Sequence, residues 1–484
     1  MKLPEAFTRR MDGYFLKYPE LSPADFYASF DGNLHYGIRI NRLKVRPSDY
    51  PAVLAALPGD SSPVPWCSEG YYVTEVPSGK DPYYHAGVYY IQEPSAMLPA
   101  EVLGAKPGEK ILDLCAAPGG KATRIGADLN GEGILIANEI SEERSRALLR
   151  NIELFGIVNA VITNEKPGNL AGRFPSFFDR ILIDAPCSGE GMFRRDKNAV
   201  KSWERFGPAS CEVMQREILA SAHRMLVPGG HIVYSTCTFG TSENEDMIDW
   251  FLETYPEYDV VPHPEMKGVS FSHGRNFDGS MRIWPQISRG DGHFCVHLRK
   301  RDDAELFFAE PPKEKKRKTD ASKLYSTRTA AEALLSFYDG ILTAEAVSSY
   351  REKIDRSFLL NGDKIHLLPA DISLFDGLKV VKMGAFPGEV IKTQKGWVIN
   401  PSHSQALMLS PEEMRPGCVL NLRRDEDRLT RYLRGETLLL TEDEVSFLLP
   451  NSYILVSVDG YPVGWGKTGG ASLKNLYPKA WRLQ

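Results

Sequence analysis

The 484 residues are 42% hydrophobic and 25% charged, a globular composition that excludes a largely disordered chain and, at this length, predicts about three domains. No apolar run reaches the roughly 18 residues of a membrane-spanning helix, and the opening MKLPEAFTRRMDGYF lacks the apolar centre of a secretory signal. Seven cysteines without a CxxC pair give neither a disulfide framework nor zinc spacing, so a reduced, cytoplasmic protein with no metal site is expected. The net charge of −5 conceals basic ends: residues 1–46 sum to +3 and residues 461–484 to +4. Several basic clusters in one chain raise the prospect of a phosphate-tracking surface.

In chain order, the first 92 residues read as a small mixed α/β domain around the strand-like stretch His35–Asn41, with turns near Leu57-Pro58-Gly59 and Pro63-Val64-Pro65. Residues 93–300 carry a regular alternation. Apolar strands are predicted at Ile111–Cys115, Gly133–Glu139, Ala160–Thr163, Asp179–Asp184 and His231–Ser235, with helices from Lys121, through Arg144–Leu149, and one ending in Pro228-Gly229-Gly230. Strands alternating with helices over almost 200 residues imply a doubly wound, mostly parallel α/β sheet. Phe294–Leu298 is a further strand. Residues 301–325, with Pro311-Pro312 and a charge run to Lys318, read as a solvated linker. A small intermediate domain is expected over 326–384 and a β-rich domain over 385–484, with turns at Phe386-Pro387-Gly388 and Tyr461–Gly464 and a strand at Ser452–Val458.

Chemistry concentrates at three strand ends. The loop Cys115, Ala116, Ala117, Pro118, Gly119, Gly120, Lys121 follows the first strand, where an open α/β sheet binds its ligand. It is neither a P-loop nor the GxGxxG dinucleotide pattern. Glu139, ending the second strand, stands where a carboxylate accepts hydrogen bonds from both ribose hydroxyls. A nucleoside ligand without a pyrophosphate fits, and S-adenosylmethionine is one. Cys187, after the fourth strand, and Cys237, after the fifth, should face one cleft. Either alone would more often be an inert buried cysteine. Paired beside a nucleoside site, they suit methylation of a pyrimidine carbon. A thiolate adds at C6, density moves to C5, and the thiol leaves after methyl transfer and loss of the C5 proton. Asp184 or Lys121 would stabilise charge at N3. Position alone leaves open which cysteine attacks.

CAAPGGK at 115–121, DAPCSGEGMFRR at 184–195, and STCTF at 235–239 followed by Glu243-Asn244-Glu245 resemble the Nop2/Sun-type RNA cytosine-5 methyltransferases. Ile91–Met97 resembles the segment that leads into that family's sheet, and residues 460–467 and 473–479 resemble a PUA-like RNA-binding domain. Within the family the likeness is to the bacterial RsmF-type branch. The resemblance implies a class I, Rossmann-like S-adenosylmethionine-dependent sheet flanked by an RNA-binding-type N-terminal domain and a PUA-like C-terminal domain. It makes Cys237 the nucleophile and Cys187 the product-release residue, with residues 115–121, Glu139 and Asp184 around the cofactor. The family often has an acid after the third strand; here Thr163-Asn164-Glu165-Lys166 offers Asn164 as the adenine contact. The implied substrate is cytosine C5 in small-subunit ribosomal RNA, free or within the assembled subunit, and a monomer with no membrane association is expected. A transfer-RNA cytosine-5 methyltransferase and a non-catalytic ribosome-assembly factor are the alternatives. Met192, Phe193, Arg194 and Arg195 are candidates to read or stack on RNA bases.

Overall fold

The computed structural model describes residues 1–308, 321–394 and 396–483. A ten-stranded sheet organises it: β1 Lys110–Asp113, β2 Ile134–Asn138, β3 Ala160–Thr163, β4 Phe178–Asp184, β5 Leu226–Thr236, β6 Tyr258–Val260, β7 Ser270–His273, β8 Asp278–Ile283, β9 His293–Lys300 and β10 Val380–Met383. The strand order is β7-β8-β9-β5-β4-β1-β2-β3-β10, and β6 pairs with β9. The five central strands pair in parallel. β2 is buried at every position, as expected for a strand covered by helices on both faces. Helix α1 (Gly120–Leu129) follows β1, α2 (Glu142–Leu154) follows β2, and α3 (Lys197–Met225), interrupted at Gly207-Pro208, precedes β5.

Both flanks of the sheet are antiparallel, so it is mixed rather than mostly parallel. The outermost strand on one side, β10, comes from far along the chain, with Val380 opposite Thr163. The stretch read as an intermediate domain therefore completes the catalytic sheet. Strands Phe358–Asn361 and Lys364–Leu367 pair on into Ala385–Thr393 and Gly396–Pro401, so the boundary read at 384/385 passes through one sheet. The linker read at 301–325 is ordered at its start, where Arg301 N donates to Glu257 O at 2.8 Å. A helix, Ala321–Ile341, already begins within its end, and the Pro311–Lys318 run lies outside the described residues.

Three turns differ from the reading above. α3 ends at Met225, and Pro228-Gly229-Gly230 lies in β5. Pro387 lies inside strand Ala385–Thr393. The C-terminal hairpin turns at Asp459-Gly460, both with positive φ (47° and 89°), and residues 461–464 begin its second strand. Asp-Gly is the pair that a two-residue hairpin turn favours.

The N-terminal portion holds a four-stranded antiparallel sheet and helices Glu5–Lys17 and Pro23–Ser29. The helices bury Phe7, Phe26 and Phe30 against Phe193, Phe239 and Trp284 of the catalytic portion. The sheet shares a core with the C-terminal five-stranded sheet, Ile38 and Tyr89 packing with Leu422, Val456 and Tyr477. The chain's two ends thus fold onto each other and onto the catalytic sheet. No helix among the described residues is long and apolar enough to cross a membrane.

Candidate active site

The carboxyl ends of β1, β4 and β5 open into a cavity of about 330 Å³ whose wall includes Asp113, Cys115, Lys121, Asp184, Cys237 and His293. A larger cleft of about 730 Å³ lies between catalytic and C-terminal portions and carries none of the motif residues. Small residues shape the loop above β1. Gly119 has φ +116°, and a Cβ on Gly120 would lie 3.0 Å from Gln92 Nε2. Arg144 and Asn151 of α2 hold the loop by donating to the carbonyls of Ala117 (2.6 Å) and Pro118 (2.8 Å). Asn138 ties the neighbouring strand ends, donating to Leu114 O and Glu165 O.

Lys121 Nζ donates to Asp184 Oδ2 at 2.7 Å, and Ser235 Oγ to Oδ1 at 2.9 Å. Burial alone would raise the Asp184 carboxyl, but Lys121 and nearby His293 outweigh it and hold Asp184 ionised. Asp113 is the reverse case. Both its oxygens are buried without a hydrogen-bond partner, and burial followed by the neighbouring Asp184 charge pushes its pKa up to about 8. Sequence reading had Asp113 only as a strand residue; its acidity at the end of an otherwise apolar strand was the available signal.

The sulfurs of Cys187 and Cys237 lie 3.4 Å apart. Its contact with Cys237, then burial, raises the Cys187 thiol well above its ordinary range. Cys237 lines the cavity and Cys187 does not. Such a pair can present one sulfur to an electrophilic carbon while the other keeps a proton at hand.

Three buried acids that sequence reading left without a role fix the cysteine loops. Glu190 accepts from Phe239 N (2.8 Å), Gly240 N (3.2 Å), Trp203 Nε1 (2.9 Å) and Arg10. Glu243 accepts from Ser188 N (2.9 Å), Ser188 Oγ and Gln215 Nε2 (3.0 Å), which positions the residue after Cys187. Glu245 pairs with Arg282, whose Nη1 donates to Phe239 O at 3.0 Å. Asn244 accepts from Thr236 Oγ1 and donates to Thr238 O, clasping Cys237 between them.

Other expected residues fall less centrally. Glu139 is buried at the end of β2, accepting from Ser141 N at 2.8 Å with Arg144 Nη1 3.4 Å away. Asn164 donates to Glu139 O and Ile140 O, so its amide braces the Glu139 turn. Neither they nor Cys187 line the 330 Å³ cavity. Of the four residues proposed to meet RNA bases, only Met192 is both exposed and on the cavity wall. Phe193 is in the aromatic core, Arg194 donates to Asn33 O, and Arg195 donates to Asp291 and His35 O. That run is a packed loop. Two cations of the basic N-terminal stretch are likewise consumed inside, Arg39 buried against Gln92 and Thr123 and Lys44 donating to Ala86 O and Leu154 O, whereas Lys2, Arg9, Lys17, Arg42 and Arg46 are exposed. In the C-terminal tail, Lys467, Lys474 and Lys479 remain exposed.

Five parallel strands with a small-residue loop at the first strand end define a Rossmann-like methyltransferase fold of the S-adenosylmethionine-dependent class. The description of the RsmB/F 16S rRNA methyltransferases matches residues 100–299, that of the RsmF N-terminal domain residues 3–94, and that of the RsmF PUA domain residues 419–483. Ribosomal RNA small subunit methyltransferase F of Citrobacter koseri is 32% identical over 482 residues, covering 95% of this chain and 92% of that protein. The protein of the same name from an Enterobacter species is 31% identical, covering 94% and 91%. Among solved structures, a methyltransferase homolog protein from Pyrococcus horikoshii is 28% identical with a TM-score of 0.50, over 57% of this chain and 90% of that one. NSun6 from the same organism shares the fold, with a TM-score of 0.53 at 21% identity over 62% and 99%. The chain belongs to the RsmF family of 16S ribosomal RNA methyltransferases.

Proposed function

We propose that the protein methylates C5 of a cytosine in small-subunit ribosomal RNA through a transient bond between Cys237 and C6. The observation that carries this reading is the pair of sulfurs 3.4 Å apart at two adjacent strand ends, one of them on the wall of a cavity that also holds the Lys121–Asp184 pair. A transfer to an amino nitrogen or a hydroxyl would need no thiol.

The residues present fit S-adenosylmethionine. The unpartnered Asp113 carboxyl can accept from an ammonium, Gly119 and Gly120 leave backbone open to approach, and Glu139 supplies ribose acceptors. Bound there, it supplies an electrophilic methyl group. Asn164, in this reading, shapes the adenine end by bracing the turn that carries Glu139.

Cys237 attacks C6 as the thiolate, and density passes to C5. Lys121, fixed by Asp184, holds a proton near N3 and offsets the charge that gathers on the ring. After methylation Cys237 is bonded to C6 and no longer raises the Cys187 thiol, so Cys187, having given its proton to solvent, accepts the C5 proton; C5=C6 re-forms and Cys237 leaves as the thiolate. The glutamates behind the two loops keep the sulfurs in register.

Incubation with labelled S-adenosylmethionine and isolated 16S rRNA, small subunits or tRNA, with mapping of the product base, tests the reading. Label in 5-methylcytosine of 16S rRNA or small subunits is expected. Label confined to tRNA would move the substrate, and no transfer to any RNA would favour an assembly factor.

A further inference from the structure

A second concavity, of about 710 Å³, lies on the N-terminal sheet beside the catalytic cavity and is walled by residues 32–36, 60–62 and 72–74 together with Arg289. Its volume is in the range that holds sizeable ligands. The Arg289 guanidinium lies 3.9 Å from the centre of the Tyr72 ring, and its Nη2 donates to Ser62 Oγ at 2.7 Å. Arg289 is exposed and pairs with no carboxylate among the described residues. The nearby Arg194 and Arg195 are by contrast tied to Asp291. Tyr36, on the same wall, carries the Arg195 guanidinium 5.1 Å from its ring centre.

The concavity and the catalytic cavity share one loop. Arg289 walls the first, and Asp291, Gly292 and His293 wall the second. Asp291 N donates to Glu93 Oε1 at 2.8 Å, and Glu93 also lines the catalytic cavity. A strand whose base enters the catalytic cavity would thus meet the exposed Arg289 guanidinium, which covers the buried Tyr72 ring. The groove's own chemistry agrees. Stacked aromatic and guanidinium planes bind unpaired bases without demanding a sequence, and an unpaired cation meets phosphate.

We infer that this groove holds the single-stranded nucleotides flanking the target base, with the exposed face of the Arg289 guanidinium, backed by the buried Tyr72 ring, as its platform. The inference rests on the RNA-methyltransferase reading and extends it. Arg289 is a binding residue here, since it lines the groove and not the catalytic cavity.

The test uses the full chain and a 16S rRNA transcript. Arg289→Ala should weaken transcript binding about tenfold, near the low end of what one base stack contributes. The dependence of log affinity on log salt should flatten by about one phosphate contact. Melting temperature and S-adenosylmethionine affinity report that the fold is intact, since Arg289 is a surface side chain. 4-Thiouridine placed within two nucleotides of the mapped target should crosslink to residues 33–36, 72–74 or Arg289. Wild-type affinity in Arg289→Ala, or crosslinks confined to residues 419–483, would overturn the inference. Base mapping keeps the two readings separable. If the wild type yields 5-methylcytosine and Arg289→Ala binds normally, the groove alone is wrong. If the product is another base, the chemistry is wrong whatever the groove does.

Discussion

The floor of the catalytic cavity and the groove beside it are built on opposite plans. Beneath the sulfurs, Glu190 alone collects four donors, Glu243 three, and Asn244 clasps the backbone on both sides of Cys237. All three residues are fully buried, where a charge-assisted hydrogen bond is strong and an unmade one is costly. In the groove, Arg289 is held by one hydroxyl and one ring and is otherwise open to water. Covalent chemistry needs two sulfurs in fixed register, so the loops that carry them are over-determined. Contact with an RNA strand needs adaptable side chains, so the groove is left loosely tied.

The contrast predicts where damage should appear. Glu190→Ala leaves the part-buried Arg10 and three buried N–H donors without their acceptor, and should cost about 3 kcal/mol of stability, the low end of the scale for breaking a buried pair. Denaturant unfolding measures this, and methyl transfer should fall even where the variant remains folded. An unchanged midpoint would erase the contrast, since the floor would then be no better fixed than the groove. Glu139→Ala stands between the two plans. Its carboxylate is buried but makes one local hydrogen bond, so the loss should fall on S-adenosylmethionine affinity, about ten- to a hundredfold, with little on stability. Calorimetric titration decides it, and undiminished affinity would place the ribose contact elsewhere.

A separate effect is electrostatic. With its pKa raised to about 8, the Asp113 carboxyl keeps its proton in the folded chain at pH values where the unfolded chain has lost it. The unfolded state therefore binds fewer protons between about pH 4 and pH 8, and this group's contribution to stability falls as pH rises through that window. Buried histidines such as His231, held down to about 4 by burial, slope the other way. They are present in wild type and Asp113→Asn alike and cancel in the difference. The melting temperature of the wild type relative to Asp113→Asn should fall from pH 5 to pH 8 in the absence of cofactor. Parallel curves would mean that Asp113 finds a partner or water that burial denies it here.

The central strands were legible in the sequence because buried parallel strands are short, nearly continuous apolar runs, as at Ile111-Leu112 and Ile181–Ile183. β10 was not, because Val380–Met383 is only four residues long with Lys382 inside it, and its partner β3 lies more than 200 residues earlier. Residues 115–121, Asp184 and the two cysteines came together because they sit where strands end, and strand ends converge in this topology. Glu190, Glu243 and Glu245 stayed unread for a physical reason. An acid in a loop reads as surface, and only the fold reveals that backbone N–H groups and Arg282 are aimed at it. Phe193, Arg194 and Arg195 failed the other way: aromatic and basic side chains that suit RNA suit a core and an ion pair equally well.

The most direct measurement of the central claim is denaturing gel electrophoresis of the protein with its RNA and S-adenosylmethionine, comparing Cys237→Ala with Cys187→Ala. The two substitutions are equally small and 3.4 Å apart at sulfur, so general damage should treat them alike. If Cys237 makes the bond and Cys187 helps to release it, Cys187→Ala accumulates a denaturant-resistant protein–RNA adduct and Cys237→Ala gives none and no methylation. Adduct in Cys237→Ala and none in Cys187→Ala would contradict the account by exchanging the roles, and full methylation by Cys237→Ala would remove the covalent step altogether.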